Sequence, residues 1–167
     1  KEFETLCCLL LKENDNTFLY RDFQSRNIMW HNDKPYFIDF QGGRRGPIYY
    51  DVASFVGQTR AKYSEDVCEK MIDAYLKSLS KYKSIDKDKF VERLNVFRIF
   101  RLLQTLGAYG HRGLFEHKKA FIDPIPLTPS QLCNLLEKCD IELRYLKSII
   151  EEIRELPRFK SNDYEGL

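Results

Sequence analysis

The residues of this sequence best suited to chemistry are two aspartates and an asparagine at short, fixed spacings. Asp22 and Asn27 lie five residues apart in L-Y-R-D-F-Q-S-R-N-I-M, and Asp39 follows twelve residues later in Y-F-I-D-F-Q. A carboxylate such as Asp22 can orient and deprotonate an attacking hydroxyl. An amide oxygen and a second carboxylate offer the hard oxygen ligands that Mg²⁺ prefers. This set suits phosphoryl transfer, because metal ions must bridge the charged phosphates.

Short strands are expected to position these three side chains. The sequence predicts strands over Thr17–Tyr20, Ile28–His31 and Tyr36–Phe40, with a turn at Asn32 and Asp33 between the last two. Asp22 and Asn27 then lie in the loop before the hairpin, and the hairpin returns Asp39 to the same edge. A Gly- and Arg-rich loop is predicted from Gln41 to Pro47.

The rest of the chain has helical periodicity. Asp51 and Ser64 are predicted to cap two helices, the second ending near Leu79, and Thr128 to cap a later one that has Pro129 in its first turn. Three other helices are predicted. The first covers residues 2–12 and is ended by polar residues 14–16. A long one starts at Asp88 and is disturbed by glycines 107, 110 and 113, and the last covers residues 141–155 before a polar tail from Arg158. The expected fold class is therefore α+β and predominantly helical.

Composition excludes several classes of function. The chain has 167 residues and a formal net charge of +2, which gives no electrostatic case for binding nucleic acid or a membrane surface. No apolar stretch is long enough for a membrane helix, and no signal peptide is visible. The five cysteines form an odd set without a C-x-x-C pair, which favours reduced thiols in a cytoplasmic protein. Cys7 and Cys8 lie in an apolar run and are expected near the core.

Three segments together resemble a known family. Y-R-D-F-Q-S-R-N resembles the catalytic loop H-R-D-x-x-x-x-N of the kinase superfamily, and I-D-F-Q resembles its metal-binding D-F-G segment. The continuation G-P-I-Y-Y-D-V-A-S-F resembles the following loop and helix start in aminoglycoside and choline phosphotransferases. The whole string is most similar to bacterial anomeric sugar kinases, which phosphorylate N-acetylmuramate and N-acetylglucosamine.

The resemblance implies a role for each motif residue. Asp22 is the implied catalytic base, Asn27 and Asp39 the implied Mg²⁺ ligands, and Asp51 with Arg21 the implied support of the catalytic loop. The implied cofactors are ATP, or GTP, and Mg²⁺, and the implied partner is a small molecule, most simply a sugar.

The catalytic loop departs from many relatives at one position. Gln24 is neutral and stands where many relatives have His or Lys in contact with the phosphoryl group. What neutralises the transferred phosphate is therefore open, and Arg26 could contribute. We take Gln24 and Arg26 as candidate phosphate contacts.

The chain is expected to be one lobe of a kinase. No Gly-rich phosphate loop followed by a strand lysine precedes Asp22, so the nucleotide-binding N-lobe is expected upstream in the same polypeptide. Residues 1–63 are interpreted as the catalytic and metal-binding part of a protein-kinase-like C-terminal lobe, whose short β-hairpins carry the catalytic loop. Residues 64–167 are interpreted as the helical substrate-binding part of that lobe. On its own, this fragment is expected to be inactive.

Several alternatives stay open at this point. Arg44 and Arg45 are either solvated or ion-paired side chains, or an anion-recognition pair near the substrate hydroxyl. Trp30 is expected to pack in the core or at a sheet edge. Besides an amino-sugar kinase, the sequence permits a non-catalytic kinase-like module that binds nucleotide or sugar. It also permits a choline- or aminoglycoside-type kinase.

Overall fold

The computed structural model describes residues 1–13 and 16–157. Most of the expected polar break after the first helix and the tail from Arg158 lie outside these described residues. Within these residues, the six α-helices are α1 Glu2–Leu11, α2 Tyr50–Val56, α3 Glu65–Leu79, α4 Lys87–Tyr109, α5 Leu127–Lys138 and α6 Arg144–Glu155. The same ranges contain four short strands, β1 Thr17–Leu19, β2 Ile28–His31, β3 Lys34–Phe37 and β4 Arg44–Gly46. Helices and antiparallel strand pairs together confirm the α+β, mainly helical prediction.

The strands form two antiparallel pairs, β1 with β4 and β2 with β3. In the second pair His31 faces Lys34, so Asn32 and Asp33 form a two-residue turn. Their φ angles of 48° and 55° are those of a type I′ turn, whose twist suits a hairpin and which Asn and Asp tolerate. The predicted turn is thus confirmed. Residues 41–47 were predicted as loop throughout, which is wrong for β4.

The predicted helix starts meet different outcomes. Ser64 caps α3 as predicted, since its side chain accepts a hydrogen bond from the backbone amide of Val67. Thr128 does not cap α5, because it lies inside the helix and its hydroxyl donates to the carbonyl of Pro124 at 2.8 Å. Asp51 does not cap α2 either, because it lies inside the first turn and its carboxylate accepts a hydrogen bond from the backbone amide of Tyr20, 31 residues earlier.

The chain divides into two compact units. The strand-containing unit is Cys8–Arg98, and the helical unit combines Lys1–Cys7 with the described part of Ile99–Leu167. In the strand-containing unit, α2, α3 and α4 bury one apolar cluster, in which Phe90 and Leu94 are almost fully enclosed. The ring of Tyr49 lies 4.9 Å from that of Phe90 and 5.3 Å from that of Phe97. Helix α2 is held in the fold by packing its buried side chains into this cluster.

The helical unit buries its own apolar side chains, among them Leu6, Ile99 and Leu132. Helix α4 passes Gly107 without interruption, and the chain then forms a π-helical turn over Gly110–Phe115. The predicted disturbance by glycines therefore falls after Tyr109. Within the described ranges, no helix combines the length and apolar character needed to cross a bilayer.

Two predictions about burial are wrong. Cys7 and Cys8 are exposed, because α1 buries Leu6 instead and packs the partly buried Leu10 against the apolar cluster. Trp30 is 71% exposed, because it lies in the β2–β3 hairpin, where every strand residue except Ile28 is exposed. An apolar run fixes neither the rotation of a helix nor what covers a strand.

Candidate active site

The loop between β1 and β2 carries Asp22 and Asn27, and an aromatic side chain fixes it to the fold. The ring of Phe23 lies 4.9 Å from that of Phe55 on α2, 5.5 Å from that of Tyr20 and 6.1 Å from that of Phe37. Such ring pairs add stability beyond the area that they bury. With Phe23 packed on α2, the residues on either side of it have a fixed direction.

Asp22 and Asn27 are brought together directly. The side-chain amide nitrogen of Asn27 lies 2.8 Å from the backbone oxygen of Asp22 and 3.3 Å from its carboxylate Oδ2. Asn27 is only 6% exposed, so these bonds satisfy a buried donor. The five-residue spacing therefore closes into one hydrogen-bonded loop.

Gln24 and Arg26 both contact Asp22. The amide nitrogen of Gln24 donates to Asp22 Oδ1, and the guanidinium of Arg26 lies 3.0 Å from Oδ2. The Arg26 side chain is 62% exposed, so this ion pair adds little stability, but it orients the carboxylate. The contact of these two residues with phosphate remains a prediction.

Asp39 follows the hairpin that starts at Asn27. The backbone amide of Ile38 donates to the carbonyl of Asn27 at 3.0 Å, and the hydroxyl of Tyr20 donates to the carbonyl of Ile38. The backbone before Asp39 is therefore tied to both ends of the Asp22 loop. The Asp39 side chain is exposed, and its Oδ1 accepts a hydrogen bond from the amide of Gln41 at 2.7 Å.

The phenol of Tyr20 is affected by three carboxylates of the candidate site, those of Asp22, Asp39 and Asp51. Burial raises the pKa of Tyr20 above its usual value, and the negative charges of Asp39, Asp22 and Asp51 raise it further. These carboxylates come from three separate segments, and each acts on the same phenol. The loop, the hairpin end and helix α2 thus carry their acidic groups to one region of the strand-containing unit.

Asp51 connects helix α2 to the start of the loop. Its Oδ2 accepts a hydrogen bond from the backbone amide of Tyr20 at 2.6 Å, and its Oδ1 accepts one from the amide of Arg21 at 2.9 Å. The guanidinium of Arg21 donates to the carbonyl of Gly42 at 3.3 Å, just beyond Asp39. Arg21 and Asp39 both have positive φ, at 74° and 66°. Such backbone is strained for residues with a Cβ, and it concentrates at functional sites.

Arg44 and Arg45 lie on β4 rather than in a loop. They pair with Leu19 and Phe18 of β1, and both arginines are exposed. The guanidinium of Arg44 donates to the carbonyl of Gly43 at 3.3 Å. Strand pairing fixes their backbone, while recognition of an anion by these side chains remains a prediction.

Asn27 and Asp39 have the donor atoms that Mg²⁺ requires. Asn27 uses its amide nitrogen toward Asp22, which leaves its amide oxygen Oδ1 for a metal. Asp39 contributes an exposed carboxylate. Within residues 1–13 and 16–157, no group of three or more His, Cys, Asp or Glu side chains is arranged to hold a metal ion. An amide and a carboxylate still fit Mg²⁺, which usually keeps several waters and takes its other ligands from substrate phosphates.

Sequence reasoning missed one residue near this loop. Gln58, just beyond α2, accepts hydrogen bonds from the backbone amide of Ser25 at 3.0 Å and from its hydroxyl at 2.9 Å. Ser25 and Gln58 are 33 residues apart; Ser25 occupies an unspecified position of D-x-x-x-x-N, and Gln58 lies outside the three segments that resemble the kinase motifs. No local signal in the sequence could have paired them.

Two comparisons with known proteins bear on the family of this chain. A curated relative, the N-acetylmuramate/N-acetylglucosamine kinase of Pseudomonas aeruginosa, is 22% identical over 131 residues. That alignment covers 74% of this chain but 38% of the relative, so the chain spans well under half of the relative's length. The model of the phosphotransferase enzyme family, APH, matches residues 3–89, slightly more than half of the chain and including all of the site described above. The chain belongs to the phosphotransferase enzyme family.

Proposed function

We propose that the full-length protein is a kinase that uses Mg²⁺ with ATP, or GTP, to phosphorylate a hydroxyl of a small molecule, most specifically an amino sugar. The observation that carries this proposal is the hydrogen-bonded pair of Asp22 and Asn27, with Asp39 attached through Ile38. A base and two oxygen ligands on one anchored framework are what phosphoryl transfer needs, since its catalysis is mainly positioning and electrostatic stabilisation.

In the proposed reaction Asp22 accepts the proton of the substrate hydroxyl as its oxygen attacks the terminal phosphorus. The bond from that phosphorus to the bridging oxygen breaks, and the nucleoside diphosphate leaves. Asn27 and Asp39 would hold Mg²⁺, which would supply positive charge to neutralise the phosphates. Asp51 and Arg21 keep the loop in place through the bonds described above.

We also propose that a nucleotide-binding N-lobe of the same polypeptide completes the site. Support comes from the exposed apolar side chains between residues 18 and 40, namely Phe18, Met29, Trp30, Tyr36, Phe37, Ile38 and Phe40. Large exposed apolar patches mark interaction surfaces in folded proteins. The larger size of the curated relative agrees with further protein being required. On this view residues 1–63 supply the catalytic part, residues 64–167 supply the substrate wall, and the chain alone is inactive.

The amino-sugar substrate rests on two supports. The curated relative is named for N-acetylmuramate and N-acetylglucosamine. Arg44 and Arg45 are exposed on β4, in the same unit as the candidate site, and guanidinium groups bind carboxylates well. They suit a sugar that carries a carboxylate, as a muramate does, better than a cationic antibiotic or an amino alcohol.

A second candidate function is a non-catalytic kinase-like module. The observation that favours it is that both carboxylate oxygens of Asp22 are already engaged, Oδ1 by Gln24 and Oδ2 by Arg26 and Asn27. A base must have an accessible lone pair to receive a proton, and these contacts use three of the roughly four that a carboxylate offers. For the kinase, Arg26, whose side chain is mostly exposed, is the partner that can turn away when substrate enters.

A phosphate-transfer assay of the full-length protein distinguishes the two. ATP and GTP are tested as donors against amino sugars with and without a carboxylate, amino alcohols and aminoglycosides. We expect transfer to an amino sugar. Asp22→Asn should lower kcat by at least about 100-fold, the lower bound typical of a lost general base, with nucleotide affinity unchanged. Nucleotide binding without transfer to any acceptor would instead support the non-catalytic module.

A further inference from the structure

Helix α2 and the residue just beyond it hold the Asp22 loop at two separate points. Asp51 in the first turn of α2 binds the backbone amides of Tyr20 and Arg21, where the loop begins. Gln58, two residues past the end of α2, binds Ser25, which opens the 3₁₀ turn Ser25–Asn27. The base and the amide ligand thus lie between two anchors, one in the first turn of α2 and one just past its end.

We propose that Gln58 is a positioning residue for the reaction, acting through Ser25. This inference rests on the kinase function proposed above. The hydrogen bonds described for Gln58 go to Ser25 and Phe55 and not to Asp22, Asn27 or Asp39. It fixes the turn that carries Arg26 and Asn27, and both of these side chains bind the carboxylate of Asp22.

The orientation of the Gln58 amide is itself determined. Its nitrogen Nε2 donates to the carbonyl of Phe55 at 3.0 Å, which turns the oxygen Oε1 toward Ser25. That single oxygen then accepts from both the amide and the hydroxyl of Ser25. Phe55 also carries the ring on which Phe23 packs, so residues 55–58 fix the loop by a ring contact from α2 and by the hydrogen bonds of Gln58.

Ser25 needs such an acceptor. The first N–H groups of a helical turn have no partner within the turn and must find one elsewhere. Without Gln58 the Ser25 amide would turn to water, and the turn could shift relative to α2. A displacement of about 1 Å at a reacting group can cost about 100-fold in rate, so a small shift of Asn27 and Asp22 would be felt in kcat.

The proposal is tested with Gln58→Ala, Gln58→Glu and Ser25→Ala in the full-length protein. Gln58→Ala should lower kcat by about 10- to 100-fold and leave the KM for nucleotide unchanged, because the loss is in alignment. Gln58→Glu keeps an acceptor for Ser25 and should recover part of kcat. Ser25→Ala keeps the amide bond and should cost less. The double variant Ser25→Ala/Gln58→Ala should lose less than the product of the two single effects.

Gln104→Ala is the matched control, because Gln104 also accepts a side-chain hydrogen bond, from Arg101 at 2.8 Å, but belongs to the helical unit. In this variant the Ser25 amide should keep the slow hydrogen exchange expected of the wild type, because the removed bond lies in the other unit. A Gln58→Ala protein with unchanged kcat, or with independent effects in the double variant, overturns the proposal.

Hydrogen exchange at the Ser25 amide separates this proposal from the function on which it rests. The amide should exchange slowly in the wild-type protein and rapidly in Gln58→Ala, whether or not any acceptor is phosphorylated. If the Ser25 amide exchanges slowly in the wild type and rapidly in Gln58→Ala but the wild type transfers no phosphate, the kinase function is refuted and the role of Gln58 in fixing the loop is supported. If exchange is equally fast in both proteins, the anchor itself is refuted.

Discussion

The carboxylate of Asp51 accepts a hydrogen bond at 2.9 Å from the backbone amide of Arg21, a residue 30 positions earlier whose φ is 74°. A left-handed conformation costs an arginine roughly 1–2 kcal/mol. The bond to a charged acceptor offsets this cost and keeps the next residue, Asp22, at the exit of a sharp turn. Helix α2 therefore does more than fill the core, since its first turn sets the path of the loop.

Removing that carboxylate should loosen the strand-containing unit. Asp51→Ala is expected to lower the free energy of unfolding by about 1.5–3 kcal/mol, the usual contribution of hydrogen bonds to a charged group. Asp51→Asn keeps one acceptor oxygen and should lose less. Urea unfolding measures both. The control is Asp88→Asn, at an exposed acid in the first turn of α4, which should change the free energy of unfolding little. Equal losses of unfolding free energy at the two positions would mean that Asp51 acts only through its charge near the helix end.

Replacement of Asp39 should change the metal dependence of activity. Asp39→Asn removes a charged ligand, so the Mg²⁺ concentration for half-maximal rate should rise at least about 10-fold, the smaller effect typical of outer-shell partners. The measurement is a Mg²⁺ titration of initial rates with nucleotide saturating. Asp33→Asn, in the exposed hairpin turn where Asn tolerates the φ of 55°, serves as control. An unshifted Mg²⁺ curve for Asp39→Asn would remove Asp39 from the metal site.

Glu2 should stabilise the last described helix although it lies at the other end of the sequence. Its two carboxylate oxygens accept hydrogen bonds from the amides of Tyr145 at 2.8 Å and Leu146 at 2.6 Å, in the first turn of α6. Glu2→Ala should therefore cost about 0.5–2 kcal/mol of unfolding free energy, as loss of a helix cap does. Glu4→Ala on the same helix is the control. Thermal unfolding of both variants would refute the cap if Glu2→Ala and Glu4→Ala behaved alike.

Stability should depend on pH through Glu116, which follows the π-helical turn. A hydrogen bond from Lys118 is the largest cause that lowers the pKa of Glu116; burial opposes it, and the charges of Lys118, His111 and Arg112 lower the pKa further. A carboxyl whose pKa is lower in the folded state stabilises the fold above its unfolded pKa, and this contribution is lost as the pH falls through the folded pKa.

Glu116→Gln should thus be less stable than wild type near pH 7, and the gap should close as the pH falls from about 5 to about 2. Denaturant unfolding across that range measures the gap. The control is Glu152→Gln at an exposed position of α6. A gap that stays constant with pH would show that the charge of Glu116 is not responsible.

The amino-acid sequence by itself determined the local features of this protein. The spacing of Asp22, Asn27 and Asp39, the type I′ turn at Asn32 and Asp33, and the cap at Ser64 depend on residues close in the chain. Side-chain chemistry and backbone preference act at that range, so patterns predict them. Helical periodicity located the helices for the same reason, although their ends moved by a few residues.

Only the tertiary structure decided which distant groups meet. The pairing of β1 with β4 turned part of an expected loop into a strand, Asp51 became a partner of Tyr20 and Arg21 instead of a helix cap, and Gln58 met Ser25. It also decided exposure, leaving Trp30, Cys7 and Cys8 outside the core. Residue type makes a hydrogen bond or a buried contact possible, but the packing of helices and strands brings the two partners within reach.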